Sequence, residues 1–600
     1  MASRSLVFQA PMLSNQRKLL LNFFWHMHQP DYRDYMSGEF VLPWTYLHAI
    51  KDYTDMAYHL EQNPRARASF NFVPVLLDQL EDLASQFNGK SITDPLLELF
   101  LLDDGVPLTA AQRRLILDSC FKSNHAKMIA PFPQYAHLHA MFKLLEPQGE
   151  EVFAYLSDQY MLDLLVWYHL VWTGESVRRE NELVARLMAQ GGSFDAAQRR
   201  QLFDLIGQLI AGIIPRYRAL AKKGQIEISS TPHYHPILPL LLDFKSARDN
   251  MPGVALPENE RYPGGTTRAR EHVVSALKSH YRRFGQRPHG MWPAEGGVSH
   301  AALMMLAKEG VAWAATGEGV LGSSLAHAYG DVHMPERHKY LYKPYRVSDG
   351  EHEIVCFFRD DLLSDKIGFE YSSWHGRDAV NDFIGELERI WKNTEADETP
   401  VVSVILDGEN AWEHYPYNGF YFLSELYEAL ADHPYIEMTT FSKVLRQCTG
   451  HAAAHEDEPG EAQQGPEIAM EDLHSVRAGS WVYGNFSTWI GSAEKNRGWD
   501  LLCEAKKSYD MVMAGHRLSA EEKKLAEHQL ADCEGSDWFW WFGDYNPSLS
   551  VSSFDNLYRR NLSNLYHLLK LPAPKALEHA ISMGGGGEQE AGGTMRRGHG

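Results

Sequence analysis

Apolar positions recur in two rhythms along the chain. Short strand-like runs, continuous or alternating with small polar residues, occur at 18–28 (KLLLNFFWHMH), 66–74 (ARASFNFVP), 225–232 (QIEISSTP) and 288–295 (PHGMWPAE). Three more follow at 310–318 (GVAWAATGE), 352–360 (HEIVCFFRD) and 400–409 (PVVSVILDGE). Elsewhere the spacing lengthens to that of amphipathic helices. Seven strands alternating with helices predict an α/β fold, a parallel sheet or barrel of βα units. From about 78 to 222 the pattern is mostly helical and too long for a simple crossover, so this stretch reads as a helical insertion in a barrel spanning 1–448. Three further helical runs between 495 and 570 predict a C-terminal helical region, 468–575, packed on that barrel. Between them, 449–467 is poor in hydrophobics and rich in Ala, Glu, Gln, Gly and Pro, which predicts a flexible loop or linker. The end, 576–600, reads as a disordered tail.

Composition narrows the field. The 44% hydrophobic content suits a well-cored protein, and 15 Trp and 28 Tyr also supply the flat rings that carbohydrate clefts use. A net charge of −21 argues against nucleic acid as a partner, because phosphate binding needs a cationic surface. Five cysteines without a CxxC pair, no signal-peptide pattern and no apolar run of about 18 residues predict a cytoplasmic protein that does not enter a membrane. The oligomeric state is left open.

The strand-like runs end in polar residues: His26, His28, Glu227, Glu295, Glu318, Asp360, Asp407 and Glu409. Barrels of βα units collect their chemistry at the carboxyl ends of strands. Glu295 stands between a Trp–Pro pair and two glycines, where an apolar residue would cost less unless the acid is paired or used. Asp407 follows VVSVIL, and the next helical run starts about ten residues later, too far for Asp407 to cap it. Two carboxylates facing across a cleft can split a glycosidic bond, one as acid and the other stabilising or attacking the sugar carbon. A separation of about 5–5.5 Å gives retention and about 6.5–9.5 Å inversion.

The pairs His26/His28 (HMHQP) and His233/His235 (TPHYHP) each fit three roles. They are contacts to sugar hydroxyls, structural hydrogen bonds, or a zinc-binding pair completed from elsewhere. In GSWVYGNFSTWIG, Trp481 and Trp489 either wall a sugar subsite or anchor the loop. The aromatic run GSDWFWWFGDYNPS either closes the cleft or packs between domains.

Taken in order, HMHQP, GQIEISSTP, GMWPAEGGVS, VILDGENAWE and GNFSTWIG resemble the five motif regions of glycoside hydrolase family 57, over roughly residues 18–570. WPAEG, DGENAWE and GSDWFWWFGD look most like its amylopullulanase and α-amylase branch. The resemblance implies an incomplete (β/α)7 barrel followed by an α-helical region, acting on α-glucans with retention and without a metal or other cofactor. It implies Glu295 as nucleophile, ionised, and Asp407 as general acid/base, protonated near neutral pH. His26, His28, Glu227 and Trp489 fall at substrate-contacting positions, and His233, His235, Trp292, Trp412 and Trp481 join them as substrate-binding candidates. The implied reaction is cleavage of α-1,4 bonds, with α-1,6 as a further candidate. The alternatives are a 4-α-glucanotransferase or branching enzyme on the same scaffold, and, from another class, a metal-dependent carbohydrate deacetylase or a non-catalytic glycan binder.

Overall fold

The computed structural model describes residues 17–448 and 467–585, apart from 90, 331, 332 and 516. The expected linker up to residue 466, the tail beyond 585 and the N-terminal 16 residues lie outside the described residues. Ten strands occur in it: β1 Leu19–Met27, β2 Ala68–Phe72, β3 Ile226–Ser230, β4 Gly290–Met291, β5 Trp313–Thr316, β6 Tyr345–Ser348, β7 Glu353–Phe358, β8 Val401–Asp407, β9 Ile436–Met438 and β10 Glu471–Asp472. Seven of them run parallel in the order β7-β5-β4-β3-β2-β1-β8, and these are the seven strands the hydrophobic pattern predicts. The other three are too short to show a rhythm of their own: β6 pairs antiparallel with β7, whereas β10 pairs parallel with β6 and β9 parallel with β1.

The parallel sheet curls into an incomplete barrel. Residues from both its edges, Val355 and Phe357 of β7 and Val401 and Ile405 of β8, share one interior cluster with Phe24, Trp292 and Trp313. Phe441, Val444 and Leu445, on the helix Phe441–Gln447, join that cluster and plug the barrel from below. At the seam β7 and β8 meet through a single bridge, Arg359 to Ser403, with the Asp360 N–H donating to the Ser403 carbonyl at 2.8 Å. Period-two alternation sorts the side chains. On β1, Leu19, Leu21, Phe23, Trp25 and Met27 face the outer helices, whereas Leu20 and Phe24 face inward, a row that ends at His26. On β8, Val401 and Ile405 face inward, and Asp407 ends that row. His26 and Asp407 are register partners, so one rim carries both.

Between β2 and β3 lie helices from Pro74–Gly89 to Ala196–Lys222, the latter started by a capping box of Asp195 and Gln198. After β10, helices Ala493–Met513, Ala520–Cys533, Asp537–Trp541 and Ser548–Leu568 enclose an aromatic core, with Trp499 stacked on Phe539 at 4.2 Å. This region docks on the helix Gly265–Phe284 through buried Glu534, which accepts from Arg268 Nη2 (2.8 Å), His272 Nε2 (2.7 Å) and Tyr262 OH (2.6 Å). Burying an acid is tolerable here because each oxygen meets donors. The expectation of a disordered tail from 576 is corrected. Leu577 and Ile581 are buried, and the Ile581 and Ser582 N–H groups donate to Asp555. Two apolar anchors at a glycine-rich end were enough to dock residues 576–585. Among the described residues no helix is long and apolar enough to cross a membrane.

Candidate active site

Glu295 lies in the turn Ala294–Gly296 just after β4, with φ 56° and ψ 26°. A side chain in the left-handed region costs roughly 1–3 kcal/mol and persists only where its surroundings hold it. Here Val298 and Gly479 form an antiparallel bridge, and the Trp481 N–H donates to the Glu295 carbonyl at 3.2 Å. The residue is 8% exposed. Its Oε2 accepts from Trp481 Nε1 at 3.1 Å and its Oε1 from Ser536 Oγ at 3.3 Å. Ser536 Oγ in turn contacts His235 Nδ1 at 2.8 Å, which leaves His235 Nδ1 3.9 Å from Glu295 Oε1. His235 is also left-handed, at φ 59°. A Cβ on Gly296 would sit 2.9 Å from Trp292, and one on Gly297 2.9 Å from the Ala294 carbonyl. These glycines therefore make room for the protein's own tryptophan and turn rather than directly for a ligand.

Asp407 ends β8 and accepts from Asn410 Nδ2 at 2.8 Å. Burial pushes its carboxyl up to about 6, against the lowering effects of Asn410, His28 and Arg359. Burial, then the charges of Asp537 and Asp407, push Glu295 up to about 8, against its Trp481 and Ser536 donors. These directions reverse the expected proton order. Two carboxylates face Glu295, whereas the Arg359 guanidinium acts on Asp407. Groups coupled in this way share their protons, and the two steps belong to the pair.

Three imidazoles line the rim. His26 Nδ1 lies 2.7 Å from Asn71 Oδ1, while Asn71 Nδ2 donates to Ser229 Oγ and Thr231 Oγ1 donates to Asn71 Oδ1. The network therefore turns the amide oxygen toward His26, whose Nδ1 donates. Burial, reinforced by His28, lowers His26 to about 3, so it is neutral and its Nε2 is an acceptor. His28 Nε2 pairs with Asp537 Oδ1 at 2.8 Å, and the His28 N–H donates to Glu409 Oε1 at 3.0 Å. His235 stacks on His28 at 3.9 Å and on His26 at 5.2 Å, and burial holds it well below the usual imidazole range.

Asp537, Ser536, Asn71 and Glu409 complete this site; Glu409 was one of the strand-end acids, and the other three were not among the site residues expected from sequence. Asp537 hides inside an aromatic run, where nothing in its neighbours marks it. Ligand atoms of His28, His235 and Asp537 come within 4.8 Å of one another, the arrangement in which a metal could be held. His28 and His235, however, are stacked, and ring-nitrogen lone pairs lie in the ring planes, so theirs run side by side rather than converging on one ion.

Several expected site residues lie elsewhere. Glu227 pairs in register with Ser69, itself the partner of Phe24, one inward layer below His26. Its carboxylate is taken by Trp313 Nε1 at 2.9 Å and the Ser442 N–H at 2.9 Å, so it ties β3 to β5 and the plug. His233 is satisfied at both nitrogens, by Asp78 (2.8 Å) and Ser275 (2.7 Å), and joins outer helices. Trp292 is fully buried between Phe24 and Trp481, as floor beneath Glu295. Trp412 is buried against Trp25, with its Nε1 donating to the Gly408 carbonyl. Trp489 is fully buried in the C-terminal core, where its carbonyl accepts from Trp499, and has no surface to offer a sugar. Of the candidates, His26, His28, His235, Trp481, Glu295 and Asp407 come together. The strand-end acids Glu318 and Asp360 are both bound by Arg337.

The family model "Glycosyl hydrolase family 57" matches residues 22–455. No curated protein sequence matches. Among solved structures, a GH57 branching enzyme from Thermococcus kodakaraensis aligns with TM-score 0.53 and 15% identity, covering 92% of this chain and 90% of that one. A GH57-type branching enzyme from Pyrococcus horikoshii gives 0.52 and 15%, covering 94% and 96%. An α-amylase from Thermotoga maritima gives 0.52 and 14%, covering 92% and 94%. At these identities the likeness is one of fold.

Proposed function

From the premise that this chain belongs to glycosyl hydrolase family 57, we propose that it is a retaining enzyme acting on α-glucans, cleaving α-1,4 glucosidic bonds, with α-1,6 bonds as a further candidate. The observation that carries the reading is the Glu295–Asp407 pair: two desolvated carboxylates at strand ends of one barrel, charge-coupled, with two donors on Glu295 and one on Asp407. Branching enzymes and an α-amylase among the structural neighbours support the substrate class.

Glu295 attacks the anomeric carbon as the glycosidic C–O bond breaks, and Asp407 gives its proton to the departing oxygen. Asp407 then takes a proton from the acceptor, whose oxygen bonds to the same carbon as Glu295 leaves, so configuration is retained. The productive form needs the shared proton on Asp407. Moving it there from Glu295 costs about 3 kcal/mol, and positive charge developing at the anomeric carbon beside Glu295 offsets that. The acceptor nitrogen of His26 suits a sugar hydroxyl donor.

A second reading, transfer to a sugar hydroxyl rather than water, is favoured by the closure of the site, since Glu295 is only 8% exposed. Reducing-end assays on maltooligosaccharides, amylose and pullulan test both. New reducing ends mean hydrolysis, redistributed chain lengths without them mean transfer, and neither outcome in the wild-type chain overturns the α-glucan reading.

A further inference from the structure

A crevice of about 530 Å³ opens between the helical insertion and the loop that follows Asp407, within the range of about 300–1,000 Å³ typical of ligand sites. Phe132, Glu175, Arg178 and Arg179 of the insertion line one side, and Trp412 and Tyr417 the other. Two consecutive non-glycine residues of the loop, Tyr417 and Asn418, have φ of 53° and 54°. Each such residue costs roughly 1–3 kcal/mol, and strain of this kind gathers where a side chain must be presented.

Buried polar contacts hold that strain. Asn418 Nδ2 donates to Asp55 Oδ2 at 3.0 Å, and its Oδ1 accepts from Lys51 Nζ at 3.1 Å. Asp55 also accepts from the Glu175 N–H at 2.7 Å and the Ser176 N–H at 3.0 Å. One carboxylate thus pins both walls. The result is a tyrosine held outward: Tyr417 is 58% exposed, edge-on to Tyr421 at 5.4 Å. The Arg179 guanidinium lies 4.9 Å from the centre of the Tyr421 ring, making a rigid flat surface beside the crevice. Arg178 and Glu175, ion-paired at 2.8 Å, make the opposite wall polar. The Trp412 hydrogen bond to the Gly408 carbonyl connects this floor to the residue after Asp407.

We propose that this crevice is an accessory binding site for an α-glucan chain, with Tyr417 as its stacking platform. The proposal rests on the α-glucan reading above. An exposed ring fixed by strained backbone gives sugar faces a surface without an ordering cost, and a polymer engaged at Asp407 has further units to lay there. Short oligosaccharides do not, so the site discriminates by chain length.

The test uses the full chain with Tyr417→Ala, Tyr417→Trp and Tyr417→Gly. Tyr417→Ala is expected to raise KM for amylose roughly 2- to 10-fold, the scale of one aromatic contact, with kcat unchanged and kcat/KM for maltotetraose within about twofold. Tyr417→Trp should keep the low KM. Tyr417→Gly removes ring and strain together, and should melt at or above the wild-type temperature while binding amylose as weakly as Tyr417→Ala. Retardation of each variant in glycogen-containing gels reads binding apart from turnover. An active wild type whose amylose KM and glycogen retardation survive loss of the ring overturns the accessory site alone. A wild type inactive on every α-glucan overturns the parent reading as well.

Discussion

Trp481 holds Glu295 at two points 186 residues away in sequence: its indole Nε1 donates to the carboxylate at 3.1 Å, and its backbone N–H donates to the carbonyl at 3.2 Å. The first contact supports the charged state of the side chain; the second supports its strained backbone. Trp481→Phe removes only the first. A hydrogen bond to a charged group is worth about 1.5–3 kcal/mol, so kcat/KM should fall roughly 10- to 100-fold with little change in melting temperature. An unchanged kcat/KM would show that this donor does not stabilise the ionised nucleophile.

Glu295→Gln and Asp407→Asn each keep size and lose the titrating group. Each should cut turnover by about 10³-fold or more, measured against a folded control by circular dichroism. Glu295→Ala with azide should form a glycosyl azide of inverted configuration, because the anion enters from the nucleophile's side. Residual activity of several per cent in either isosteric variant would remove that residue from its role.

Stability should move the opposite way. The Glu295 carboxyl is raised to about 8 in the folded chain from an ordinary 4.5. Folding therefore holds a proton that unfolding releases, and stability is lost as pH rises from about 4.5 to 8. Glu295→Gln escapes this loss, so it should melt above wild type by a margin that grows over that window and levels off beyond it. The upper limit is about 4–5 kcal/mol. Equal melting temperatures at pH 5 and pH 8.5 would contradict the buried-acid account.

The pair needs one proton, and its groups stand at about 6 and about 8. The kcat/KM profile should be a bell with limbs near those values, peaking between them. Asp537→Asn removes a negative neighbour of Glu295 and should bring the alkaline limb down. An alkaline limb unmoved in that variant would mean that Asp537 does not act on the pair.

Trp489 offers the contrast. Truncating this core residue to Ala should cost about 3–5 kcal/mol of stability and leave KM unchanged. A raised KM at unchanged stability would restore it to a subsite.

The barrel was legible because its strands carry a period of two, which in β1 and β8 leads an inward row to His26 and to Asp407. Glu295 was legible as an acid with no packing reason to be there. What the alternation does not tell is depth: Glu227 also faces inward, but one layer too low, against Trp313 and the plug. Nor does composition separate Trp481 from Trp489, eight positions apart in one glycine-rich loop. Only the first falls where a backbone bridge brings it beside the Glu295 turn. Asp537 was the hardest to see, since its neighbours in sequence are core aromatics and its partners lie across the molecule.

The distance between His28 and Asp537 along the chain, 509 residues, bears on the protein's synthesis. At about 5–20 residues per second, the later partner leaves the ribosome roughly 25–100 s after the earlier one. Through that interval the nascent chain bears histidines and carboxylates at an unfinished rim, with the Glu295 turn lacking its partners at 479–481 and 536. A chain stalled or cleaved before Asp537 emerges thus lacks this side of the site, and catalytic competence itself reports that translation has passed that residue.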